Sequence, residues 1–218
     1  MSAGLSHRRP LNPGDWEYIL SELPSPSEQR LDPRDWFDDP TLPFELEIGS
    51  GKGTFLVQQS KLQTQTNFLG VEWAAAYAHH AADRFRRHQL GNVRMLLGNG
   101  VEFIEHWCPD GIAQVIHLYF SDPWPKSRHH KRRVVQDASL LQFHRLLDAG
   151  GELRLVTDHA DLWRWYECHA DRNTALFERI EFNSPPSAGE AEVVGTNFER
   201  KFIAEGRQFN SMTLVKKG

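Results

Sequence analysis

The stretch of the chain richest in chemistry is residues 119–133, YFSDPWPKSRHHKRR, where one carboxylate is followed by five cations and two histidines. Pro123 and Pro125 exclude a helix and restrict the residues before them, so Asp122 and Trp124 are expected on a rigid extended loop. A preorganised carboxylate follows, and the adjoining cationic run supplies phosphate contacts. Arg128, Arg132 and Arg133 carry forked guanidinium groups that match phosphate geometry, whereas Lys126 and Lys131 act as point charges. His129 and His130 are adjacent and have no carboxylate or cysteine partner at ligand spacing, so no metal is expected.

A second motif, ELEIGSGKG at 45–53, sets Gly49, Gly51 and Gly53 where a strand should turn into a helix. Glycines there let a ligand approach the backbone closely. Several readings are open. A phosphate loop would need its first glycine at Leu46 and would turn Glu47 toward the phosphates, and a dinucleotide fingerprint would need its third glycine at Thr54. A bare glycine-rich turn without a ligand is a further reading. A carboxylate at Glu47 suits a cationic cofactor such as S-adenosylmethionine, whose amino group and sulfonium are positive. Glu72, in GVEW, lies 19 residues past Gly53, the offset at which an acid meets ribose hydroxyls in this kind of fold, although a solvated strand-end acid would look the same. Asn99 follows the next apolar run, where its amide could bond an adenine edge or merely form a turn. Thr157-Asp158 ends a later run. TNFERKF at 196–202 reads from spacing alone as a capped turn with Glu199 paired to a neighbouring cation.

These groups need a scaffold that gathers them. From Phe44 onward, β-type runs at 44–48, 67–71, 92–97, 114–120 and 151–157 alternate with helical patterns at about 53–62, 73–88, 100–107, 134–148 and 159–170. The alternation implies an α/β fold with a parallel sheet covered by helices on both faces. Two further strands, 176–182 and 207–215, with 183–200 between them and no crossover helix, suggest an antiparallel hairpin at the sheet end. The polar groups above then share the carboxyl edge, where ligands of doubly wound sheets bind.

Seven of the twelve prolines lie in the first 43 residues, so 1–41 is read as an irregular arm and 42–218 as the domain, with Trp16, Tyr18, Trp36 and Phe37 able to pin the arm down. No internal repeat is visible. The net charge of −4 argues against a polyanionic partner, but removing the five cations of 126–133 leaves 20 against 29 acids, net −9. A polyanion could therefore bind locally. No window approaches the roughly 18 apolar residues of a membrane helix, and Arg8, Arg9 and Pro10 precede no apolar core, so a soluble cytoplasmic protein is expected. Cys108 and Cys168 lack paired spacing and are expected as buried, reduced thiols.

With these segments in order, the sequence from about Phe44 to its C-terminus resembles the bacterial tRNA (guanine-N7)-methyltransferases. The DPWPK-x-RHHKRR stretch carries the resemblance most specifically. LEIGSGKG, GVEW, TD at 157–158 and TNFE at 196–199 support it by their order. The resemblance implies a class I, Rossmann-like sheet of seven strands, mostly parallel, with helices on both faces and a C-terminal antiparallel hairpin. It implies S-adenosylmethionine as cofactor, tRNA as substrate, and methylation at guanine N7, at guanosine 46 of the variable loop. By the same resemblance Glu47, Gly49, Gly51, Glu72, Asn99 and Asp122 line the cofactor site, with Asp122 also catalytic. Lys126, Asp158, Thr196, Asn197, Phe198 and Glu199 meet the substrate base, and Arg128, His129, His130, Lys131, Arg132 and Arg133 meet RNA. Asn99 stands where many members have aspartate, which favours the rival reading of a non-catalytic RNA-binding protein on the same fold. Monomer and homodimer are both open.

Overall fold

The computed structural model describes residues 11–27 and 31–218, so Arg8, Arg9 and Pro10 lie outside the described residues. Among the described residues, eight strands form one sheet in the order β1-β4-β3-β2-β5-β6-β8-β7. They are β1 (Glu17–Ile19), β2 (Phe44–Ile48), β3 (Asn67–Glu72), β4 (Val93–Leu97), β5 (Ala113–Tyr119), β6 (Leu147–Thr157), β7 (Phe177–Ile180) and β8 (Asn210–Lys216). Strands β1 to β6 pair in parallel, and β8 runs antiparallel between β6 and β7. The expected seven-stranded sheet and its antiparallel end are thus present as β2 to β8. The order reverses between β2 and β5, which opens a crevice at the carboxyl ends of these strands.

Among the described residues six α-helices cover the sheet: α1 (Thr54–Leu62), α2 (Ala75–Arg87), α3 (Gly100–His106), α4 (Asp137–Leu146), α5 (Ala160–Arg172) and α6 (Asn197–Ala204). All five residues of β2 are buried, as a strand covered on both faces requires. On one face α1 and α2 pack through Phe55, Leu56, Ala78, Ala81, Ala82 and Phe85. The last four lie along one face of α2. On the other side of the sheet α3, α4 and α5 pack through Phe103, Ile104, Leu140, Phe143, Leu162 and Tyr166.

Three departures from the sequence reading matter. The proline-rich arm is more ordered than expected: β1 pairs with β4 in the register Glu17 to Met95, 3-10 turns at Gly14–Trp16 and Leu20–Glu22 flank it, and another follows at Pro33–Trp36. The aromatics named above do pin it. Trp16 Nε1 donates to the Leu90 carbonyl at 2.7 Å, and Tyr18 stacks on Trp36 with ring centroids 3.9 Å apart. Second, the connection before β8 holds a helix, α6, hidden in the sequence because it is only eight residues long and follows a Pro/Gly-containing stretch. Third, Cys168 is exposed on α5, where only one stripe of the helix faces the core, while Cys108 is buried as expected. No helix among the described residues is long and apolar enough to cross a membrane.

Candidate active site

The turn after β2 is built on backbone conformations that favour glycine, with φ +80° at Gly49 and +64° at Gly53. Gly53 is also required by packing, since a Cβ there would lie 2.8 Å from the Phe85 ring. Nothing would crowd a Cβ on Gly49, so the turn is open on that side. The Glu72 carboxylate ties this turn to the next strand: Gly51 N–H donates to Oε2 at 2.9 Å and Ala74 N–H to Oε1 at 2.8 Å. Arg84, from α2, braces the same turn by donating to the Lys52 carbonyl at 2.6 Å.

Glu47 is buried in β2, and its Oε2 has no hydrogen-bond partner among the described residues. Burial pushes its pKa up to about 8, with the neighbouring Glu72 charge adding to the shift and Ser50 opposing it. A buried carboxyl oxygen lacking a donor beside an open glycine turn fits a cationic ligand group, which would supply both the missing donor and the missing charge. Asn99 does something the sequence reading did not assign: its Oδ1 caps α3, accepting from Val101 N–H at 3.1 Å and Glu102 N–H at 3.4 Å. Asparagine and aspartate cap helices about equally well, so the residue that favoured a non-catalytic protein has a structural reason to be either.

Across the crevice, Phe120 and Trp124 have φ of +53° and +42°, rare for non-glycine residues, and they bracket Asp122. Such strain persists only where surroundings fix it. Ser121 Oγ and the Tyr166 hydroxyl are 2.8 Å apart. Arg133 Nε donates to the Pro123 carbonyl at 2.9 Å, its NH2 group pairs with Asp161, and its guanidinium lies 4.9 Å from the Trp165 ring centroid. The Phe120 ring meets Phe202 of α6 and Phe209 edge to face. So the loop is clamped by α5 on one side and touched by α6 on the other. Asp122 itself is exposed and has no side-chain partner among the described residues.

Arg133, expected on RNA, is only 2% exposed and is a strut of this loop instead. A cation so enclosed, with a carbonyl and a carboxylate as partners, has no face left for phosphate. His130 is also turned inward, packed against Trp165 with a buried, unpartnered Nε2. Lys126, Arg128, Lys131 and Arg132 are exposed, and Arg132 lies over the Trp124 ring at 4.8 Å.

The third wall is α6. Thr196 caps it, accepting from Glu199 N–H at 3.0 Å, as the capped-turn reading required. The expected cation partner of Glu199 is absent among the described residues. Its buried carboxylate instead accepts from the backbone N–H groups of Val193, Val194 at 3.1 Å and Gly195 at 2.7 Å. The nearby cation, Arg200, pairs with Glu192. Glu199 and Thr196 therefore shape the wall, and exposed Phe198 faces the crevice, its ring 3.7 Å from where a Gly51 Cβ would stand. Asn197 heads α6, and its side chain lies outside the described ones. Asp158, just past the end of β6, is held at 2.5 Å by Arg207, which also covers the Phe202 ring at 4.1 Å. Arg84, Tyr166, Asp161 and Arg207 were missed by sequence reasoning, because each acts through a partner far along the chain.

A family profile described as "Putative methyltransferase" matches residues 42–212. A tRNA (guanine-N(7)-)-methyltransferase of Corynebacterium diphtheriae is 36% identical over 151 residues, which span 69% of this chain and 58% of that protein. A relative of the same name from Corynebacterium glutamicum is 37% identical over 197 residues, 89% of this chain and 77% of that one. Among solved structures, a 30S ribosomal A1408 methyltransferase from an uncultured bacterium matches with a TM-score of 0.56 at 13% identity, covering 84% of this chain and 90% of that one, a likeness of fold.

Proposed function

This chain belongs to the tRNA (guanine-N7)-methyltransferase family, and from that premise we propose that it methylates guanine N7 in the variable loop of tRNA in the cytoplasm, with Asp122 at the reacting centre. S-adenosylmethionine supplies the methyl group, carried on a positive sulfonium that makes it electrophilic. The observation that carries the reading is Asp122: an exposed carboxylate without a partner among the described residues, bracketed by two strained residues, at the same carboxyl edge as the orphaned oxygen of Glu47.

Guanine N7 has a lone pair and no proton, so no general base is needed for its attack. What the protein contributes is position and charge. Glu47 would hold the cofactor's ammonium, and Glu72 would accept from ribose hydroxyls with the lone pairs left over from its two backbone bonds. Asn99 would offer its amide to the adenine edge while keeping its capping bonds. Asp122 would accept from N1–H and N2–H on the guanine's other edge and favour the positive charge that develops on the purine. Phe198 would cover the base, with Lys126 and Asp158 beside it. Arg128, Lys131 and Arg132 would meet phosphates. His129, edge-on to Trp124 at 5.8 Å, supports the loop from which they project.

Methyl transfer from labelled cofactor into bulk tRNA, followed by nucleoside analysis, tests this. The expected product is 7-methylguanosine, with single-turnover rates about 10²-fold lower in Asp122→Asn at unchanged tRNA affinity and no rescue by raised pH. Wild-type protein that binds tRNA and cofactor but transfers no methyl would establish the non-catalytic reading instead.

A further inference from the structure

The solvent face of α2 belongs to neither wall of the crevice. Its inward residues Ala78, Ala81, Ala82 and Phe85 are buried. The opposite stripe, stepping by three or four residues, reads Tyr77, His80, Arg84 and Arg87, all exposed or half-buried. Lys52 of the glycine turn extends it at one end, 5.8 Å from the Tyr77 ring, and Lys61 of α1 and His88 extend it at the other.

A helix face that is merely solvated intersperses acids with bases, which lowers its own electrostatic energy. Here the acid on this part of α2 is Asp83, which is buried and already committed to Arg86, Arg87 and the Asn12 N–H. The remaining cations crowd one another. His80 and His88 are both held below the usual imidazole range, by burial first and then by the surrounding charges of Arg84, Arg87, Lys52 and Lys61. In a chain of net charge −4, this mainly cationic stripe, bordered by the exposed Asp38 and Asp39 at its Lys61 end, carries a self-repulsion that a polyanion would relieve.

We propose that this stripe is a second phosphate-binding surface for tRNA, on the far side of the glycine turn from the cations of 126–132; the proposal rests on the reading of the protein as a tRNA methyltransferase. Strand β3, which leads into α2, and β5, which leads into the cationic loop, are separated only by β2. Two strand spacings set that separation at about 10 Å. The stripe starts at the carboxyl edge, at Lys52 and Tyr77, and runs down α2 toward the amino ends of the strands, about 15 Å from Tyr77 to Arg87 at 1.5 Å per residue. An RNA arm that leaves this edge along α2 therefore reaches both patches. Arg84 links the two functions, since the side chain that faces phosphate also braces the glycine turn.

The test is the salt dependence of tRNA binding in two double variants, Lys61→Gln with Arg87→Gln and Lys61→Glu with His88→Glu. The second leaves every partner of buried Asp83 in place. The slope of log affinity against log salt should become shallower by about one for each phosphate that the variant no longer neutralises, and affinity at moderate salt should fall about tenfold or more. Cofactor affinity, read by calorimetry on the same proteins, should not move. Wild-type slopes in both variants, under conditions where Arg132→Ala flattens its own slope, would overturn the stripe while leaving tRNA as substrate. Unchanged tRNA binding with lost binding to vesicles of anionic phospholipid would overturn it in favour of a lipid surface. A wild-type protein that binds no tRNA in this titration would remove the functional reading, and the stripe with it.

Discussion

The two walls of the crevice use charge in opposite senses. On the glycine-turn wall the acids are folded inward: Glu72 is bound by two backbone N–H groups, and Glu47 is buried with an oxygen left over. On the wall made by residues 120–133 the inward group is a cation, Arg133, spent on a carbonyl and on Asp161, while its neighbours in sequence remain in solvent. A charged residue in a motif is thus either a strut or a ligand-facing group, and burial among backbone partners decides which. Glu47 is the informative exception, because it is buried like a strut yet one of its two oxygens has no partner among the described residues.

The contrast breaks most severely if Arg133 is removed. Arg133→Ala leaves Asp161 and the Pro123 carbonyl without their donor. Because the Asp161 side chain stays partly in solvent, the stability loss should be about 2–3 kcal/mol, below that of a fully enclosed pair. Misplacement of Asp122 should lower turnover by about 10²-fold at saturating tRNA. The slope of tRNA affinity with salt should stay that of wild type, and Arg133→Lys, which keeps the charge but not the fork, should recover only part of the rate. A flattened slope in Arg133→Ala would return this residue to the RNA surface.

Next in size is Glu72→Ala. The loss of a charge-assisted acceptor worth about 1.5–3 kcal/mol should weaken cofactor binding ten- to a hundredfold by calorimetry. Unchanged affinity in the folded variant would reduce Glu72 to a clasp between two turns.

Glu47 sharpens the comparison through pH. Its carboxyl is protonated below about 8 in the ligand-free protein. A cationic ligand favours the ionised form, so binding below that pH must release a proton, and affinity should rise with pH by up to about tenfold per unit before levelling near 8. Cofactor titrations between neutral and mildly acid pH should show that rise, and Glu47→Gln should flatten it. A flat wild-type profile would mean the orphaned oxygen meets a neutral group.

The smallest expected effect is that of Arg132→Ala, one exposed cation among several. Its tRNA affinity should fall only a fewfold at moderate salt, with the salt slope shallower by about one.

The central strands were legible in the sequence because β2, β3, β4 and β5 are short apolar runs between turn residues, a pattern local to each run. The acids at the strand ends could be placed on one edge for the same reason. What local pattern could not disclose was which cation of KSRHHKRR turns inward, since that depends on Asp161 and Trp165, about thirty residues later on α5. Glu199 was misread in the same way: its partners are backbone N–H groups of a segment with no regular structure. The strand β1 escaped notice because three residues in a proline-rich arm carry no periodicity.

That short strand has a consequence for how the protein behaves among its own copies. Strand β4 would be the outermost of the parallel sheet without it, showing solvent a row of unpaired N–H and C=O groups. Such edges recruit one another into stacked, insoluble sheets. The arm closes this one: β1 supplies the missing backbone partners, and Leu20, just beyond it, packs so close to Gly98 that a Cβ there would lie 2.5 Å away. A chain trimmed to residue 42 keeps every residue of the crevice, and its first defect would be seen as turbidity.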